Sequence, residues 1–96
     1  MPYITKEGRE VLLPELESLI TEFTGADSIQ GNEGNFNFVV STLINAMIEE
    51  HGLSYANVNS LVGVLECIKL ELYRRIAVPY EDLKIIQNGD VYGSQN

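Results

Sequence analysis

An all-α fold, a small helical bundle, is what this sequence predicts, and three observations carry the prediction. From Asn35 to His51 the apolar residues Phe36, Val39, Val40, Leu43, Met47 and Ile48 recur at spacings that place them on one helical face. From Val58 onward Leu61, Val62, Leu65, Ile68, Leu72 and Ile76 repeat that period for about five turns. No run of alternating apolar and polar residues flanked by turn residues supports a strand. The expected architecture is a leading helix, an antiparallel helix pair joined by a short turn, a long third helix broken at Pro79, and a short C-terminal helix.

The elements follow in order. Residues 1–12 read as an N-terminal arm, with Thr5 available as an N-cap and Pro14 at a first helical position, where its missing N–H costs nothing. A helix from Pro14 to Phe23 then shows Leu16, Leu19, Ile20 and Phe23 on one face. Residues 24–35, with three glycines and no periodicity, read as a flexible Gly-rich loop: a tolerated surface insertion or a flap over a site.

Gly52 supplies the stop of the second helix, and His51 in its last turn suits the negative end of the dipole. Ser54 is the N-cap of the third helix. Gly63 inside that helix costs about 1 kcal/mol relative to Ala, which points to a close approach of another backbone. Pro79 biases Val78 away from helical angles and ends or bends the helix, after which residues 80–87 form a short helix closed by Asn88 and Gly89. Residues 93–96 are expected to be a disordered tail, and residues 1–96 a single helical domain.

Composition narrows the function classes. The formal net charge is −8, which argues against a direct nucleic-acid partner, because such binding rests on many Lys and Arg contacts to phosphate. The deficit is uneven: residues 1–65 hold Lys6 and Arg9 against nine acids, a net −7, whereas residues 66–96 hold four basic residues against five acids, a net −1. One cysteine, Cys67, permits no intrachain disulfide and fits a reducing compartment. No stretch reaches the length of a membrane span and the N-terminus lacks the apolar core of a signal peptide, so a cytoplasmic location without membrane contact is expected. At 96 residues a homo-oligomer is an easy way to gain burial.

The residues for catalysis are sparse. The lone His51 stands 16 positions before Cys67 in sequence, with no third group to form a nucleophilic constellation. Neither a His-x-x-x-His nor a Cys-x-x-Cys pair is present, and the acid pairs Glu49-Glu50 and Glu81-Asp82 read as solvated faces or helix N-terminal charge, so no metal or other cofactor is expected. The phosphate loop GxxxxGK[ST] is absent. An enzyme acting on nucleotides through Glu81 or Asp82 as base would depend on a divalent metal; a non-enzymatic role is the expectation.

Lys69, Arg74, Arg75 and Lys84 gather near Tyr73, Tyr80, Tyr92 and Pro79, and there a site is expected. Arg74 and Arg75 stand about 100° apart on a helix, so at least one guanidinium faces outward, suited to a phosphate or carboxylate. Tyr73 and Tyr80 can stack on a ring. Asn88, Asp90 and Tyr92 complete a pocket if the C-terminal segment folds back over Tyr73 to Pro79. The competing reading is intramolecular, with Arg75 paired to Glu71 and Arg74 to Glu81 or Asp82.

The opening MPYITKE, the stretch GLSYANVNSLVGVLECIKLELYRRIAVPYED and the final NGDVY carry a resemblance. The chain resembles a family of small uncharacterised tailed-phage proteins of about 90 residues with the pattern LE-x-x-KLELYRR-x-x-x-PYED and NGDVY, over about two thirds of its length. It departs at Leu83, where a lysine is usual in that family, and in a longer Gly-rich stretch before Asn35. The resemblance implies a phage setting, in which small acidic proteins without enzymatic motifs often act on host defence. The expectation is a non-catalytic accessory protein that sequesters a small phosphorylated, nucleotide-type ligand. The alternative is an acidic module that inhibits a basic host protein or mimics nucleic acid.

Overall fold

The computed structural model of the protein describes residues 4–92, and these are all-α, the class expected of a small helical bundle. Four α-helices follow one another: α1 (Lys6–Thr24), α2 (Glu33–His51), α3 (Tyr55–Leu72) and α4 (Val78–Asn88), with a short 3₁₀ turn (Gln30–Asn32) before α2 and a π-helical turn (Tyr73–Ala77) between α3 and α4. The chain divides into two units, Met1–Asn59 and Ser60–Asn96. The expected tail, residues 93–96, lies outside the described residues.

In the first unit, Thr5 caps α1 as anticipated: its hydroxyl accepts a hydrogen bond from the Gly8 N–H at 3.1 Å. The cap overrides the reading of residues 1–12 as an arm, since the helix already begins at Lys6 and Pro14 sits inside it. A proline at a helix start and one tolerated in a helix interior look alike in sequence; the capped turn before it decides between them. The segment 24–35 is also more ordered than its glycines suggested. The Ser28 hydroxyl accepts from the Gly31 N–H at 3.0 Å and closes the 3₁₀ turn, and Glu33 and Gly34 already belong to α2.

Asn32 fixes the corner between α1 and α2. Its side-chain amide donates to the Phe23 carbonyl at 3.2 Å, satisfying a carbonyl at the end of α1, while its Oδ1 accepts from Asn35 Nδ2 at 2.9 Å. Phe23 and Phe36 meet edge to face with ring centroids 6.1 Å apart, a geometry favoured by the ring quadrupoles. At the other end of α2, Gly52 adopts φ 98°, where a side chain would be strained, and its N–H returns to the Ile48 carbonyl at 2.7 Å. Ser54 then caps α3 by accepting from the Asn57 N–H at 3.1 Å, and Asn57 Nδ2 donates to the Gly52 carbonyl at 2.8 Å.

In the second unit the sequence rule for proline is overturned in an instructive way. Leu72, Ala77 and Val78 all keep right-handed helical angles, so the helix is widened at Pro79 and is not broken there. Proline has no N–H for the Arg75 carbonyl, and its ring collides with that carbonyl in a regular helix. The π turn relieves the collision: the Val78 N–H bonds the Tyr73 carbonyl five residues back, which opens the turn to admit the ring. α4 ends at Gly89, φ 91°, whose N–H bonds the Ile85 carbonyl at 2.8 Å.

No described residue is buried. Among the described residues of Ser60–Asn96, nothing lies within 4 Å of a Cβ added at Gly63, so the close backbone approach anticipated there is not made inside that unit.

Candidate functional site

The π turn carries the residues singled out from sequence, Tyr73, Arg74 and Arg75. The widened helical course places both arginines against a single acid. Arg74 forms a short ion pair through its guanidinium with Glu71 Oε1, and Arg75 Nη1 lies 3.9 Å from Glu71 Oε2. The expected Arg75–Glu71 pair is present; Arg74 joins the same carboxylate, and not Glu81 or Asp82. One carboxylate between two guanidiniums leaves the turn with a surplus positive charge. Both arginine side chains are well exposed, 71% and 60%, so their remaining N–H donors face solvent. Exposed pairs of this kind are worth only about 0–1 kcal/mol each, small enough for an incoming phosphate to replace.

Tyr73 and Tyr80 are both exposed. Lys84 places its ammonium 5.5 Å from the centroid of the Tyr80 ring, a cation–π contact in the same unit, which also holds Lys69 paired to Glu66. Sequence reasoning placed Lys84 in this region but passed over its contact with Tyr80 and the double role of Glu71. The signal for each was the plain i, i+3 or i, i+4 spacing on a helix.

The C-terminal residues lie elsewhere. α4 runs about 16 Å from Val78 to Asn88. Because it stays helical, it carries Asn88 along the axis away from the arginines, and Asp90 and Tyr92 follow beyond the stop at Gly89. The Asp90 carboxylate is engaged locally, accepting from the Tyr92 N–H at 2.8 Å. No hydrogen bond or ion pair among the described residues joins Asn88, Asp90 or Tyr92 to Arg74 or Arg75. The expected roof is therefore not formed within one copy.

A family model for a domain of unknown function, DUF6899, matches residues 1–91, which takes in every helix and the arginine turn. The chain belongs to the DUF6899 family. No curated protein and no solved structure matches it.

The first unit carries surface hollows. One of about 570 Å³, mostly apolar, opens at the α1–α2 corner between Phe23, Ala26, Ile29, Asn32, Glu33 and Phe36. A smaller one lies beside Leu53, Tyr55 and Val58. Cys67 is a free thiol, partly exposed, and among the described residues no group of three His, Cys, Asp or Glu side chains is arranged to hold a metal ion. No helix of the described residues is long and apolar enough to cross a membrane.

Proposed function

We propose that this DUF6899 chain is a non-catalytic phage accessory protein that binds and sequesters a small phosphorylated ligand of the nucleotide type, such as a host immune signal. The observation that supports this reading is the sharing of Glu71 by Arg74 and Arg75, which leaves two exposed guanidiniums under-neutralised on one widened turn. In this reading the guanidiniums hold phosphate in charge-assisted hydrogen bonds, and Tyr73 and Tyr80 flank a ring. Asn88, Asp90 and Tyr92 would contribute from a second copy, since two-fold symmetry doubles such groups around one ligand.

A thermal-shift panel of cyclic mononucleotides, cyclic dinucleotides, ADP and inorganic pyrophosphate tests it. A ligand at ~100 times its dissociation constant adds about 2.7 kcal/mol of stability. That shift is expected for at least one member of the panel and is expected to vanish in Arg74→Ala and Arg75→Ala. Silence from the whole panel would defeat the reading.

A second reading draws on a different observation. Lys6 and Arg9 are the sole basic residues of Met1–Asn59 against nine acids, and no ion pair forms among the described residues of that unit. Its −7 charge suits docking on a basic host protein, as an inhibitor or nucleic-acid mimic. The two readings separate by mutation: neutralising Glu49 and Glu50 weakens only the second, and Arg74→Ala weakens only the first.

A further inference from the structure

The second unit carries an apolar row with no partner of its own. Leu61, Leu65, Ile68 and Leu72 follow the three-and-four spacing of a helix-pairing seam on α3. The π turn takes up about one extra residue without advancing the face, so the row continues through Ile76 to Leu83, with Tyr80 between them. From Leu65 onward every one of these side chains is at least 41% exposed. Within Ser60–Asn96 the remainder of α3, the π turn and α4 form one helical course, with no second helix to lie on the row. An amphipathic helix in a protein owes most of its stability to packing of its apolar face.

We propose that a second copy of this chain covers the row, the two copies associating helix against helix through residues 61–83. Charge selects this face for self-pairing. Apposing Met1–Asn59 with its own copy sets seven net negative charges against seven, whereas apposing Ser60–Asn96 sets one against one. Area is sufficient as well. The row rises about 33 Å, and half the circumference of a helix about 10 Å across covers roughly 500 Å² over that length. Two copies together then bury about 1,000 Å², the size that a specific interface has to clear. Arg74 and Arg75 stand off the row, so pairing leaves them accessible, and the proposal does not depend on the ligand reading.

Sedimentation velocity of the full chain over a wide concentration range is expected to show a dimer or a multiple of it, little changed by added salt because the paired face is nearly neutral. Leu72→Asp, which places a charge in the seam, is expected to raise the dissociation constant at least about 100-fold. Should that variant fail to fold, a photo-crosslinking amino acid in place of Leu72 supplies the same test without a charge. It is expected to give interchain adducts, while the same group in place of Val11, an exposed apolar residue of α1, gives none. A monomer at every concentration would overturn the proposal. So would adducts at Val11 equal to those at Leu72, which would put the contact in the acidic unit, or adducts at Leu72 confined within one chain, which would mean that the molecule covers its own row.

Discussion

The two units of the molecule hold their shape by different means. In Met1–Asn59 the ends of helices are tied by side chains reaching backbone groups: Thr5 to Gly8, Asn32 to Phe23, Asn57 to Gly52. In Ser60–Asn96 there is one helical course, whose ion pairs, Lys69–Glu66 at 3.0 Å and the Arg74 and Arg75 pairs with Glu71, all lie along the same helix. The first unit therefore spends its polar side chains on its own corners and carries nearly all the net negative charge. The second leaves its cations, rings and apolar row facing outward. Polar groups committed to caps are unavailable to a partner, so binding chemistry is expected where such commitments are few.

The two helical prolines give the largest test of this contrast. A proline in a helix interior costs about 3 kcal/mol, and at Pro79 the π turn already relieves part of the clash, whereas Pro14 sits within α1 with no such turn. Pro14→Ala is expected to raise stability by up to about 3 kcal/mol and Pro79→Ala by less, after allowing about 0.4–1 kcal/mol for the freer unfolded chain. Thermal unfolding followed by circular dichroism reads both. A larger gain at Pro79 would break the comparison.

The helix stops are expected to behave alike in both units. Gly52 and Gly89 share nearly the same extended, positive-φ backbone, at φ 98° and 91°. Gly52→Ala and Gly89→Ala should each destabilise by about 1–3 kcal/mol in chemical denaturation. Below these comes Asn32→Ala, which leaves the Phe23 carbonyl without its donor and is expected to cost about 1 kcal/mol in the same measurement. Smallest is Lys69→Ala, which removes an exposed pair worth about 0.2–1 kcal/mol and should lose even that in high salt.

What was legible in the sequence was local. Thr5, Gly52, Ser54 and Gly89 act within four residues of themselves, and each lies where its chemistry placed it. Pro14 and Pro79 misled because the single-residue rule omits what the neighbouring turn does: a capped turn carried α1 ahead of one, and a π turn carried the helix past the other. The site was half legible. Arg74 and Arg75 share a turn because adjacent helical residues must, but the expected roof of Asn88, Asp90 and Tyr92 assumed a break at Pro79 that the π turn removes. The covering of the apolar row could not be read from spacing at all, because burial depends on what lies opposite, and within the second unit nothing does.

The central claim is that the arginine turn is an anion site, and isothermal titration of the full chain with the best ligand of the nucleotide panel tests it most directly. The account predicts saturable binding that is weakened by salt, lost in the Arg74→Ala, Arg75→Ala double variant, and kept when Glu49 and Glu50 are neutralised. Binding that survives loss of both arginines, or disappears with the glutamates, would contradict it.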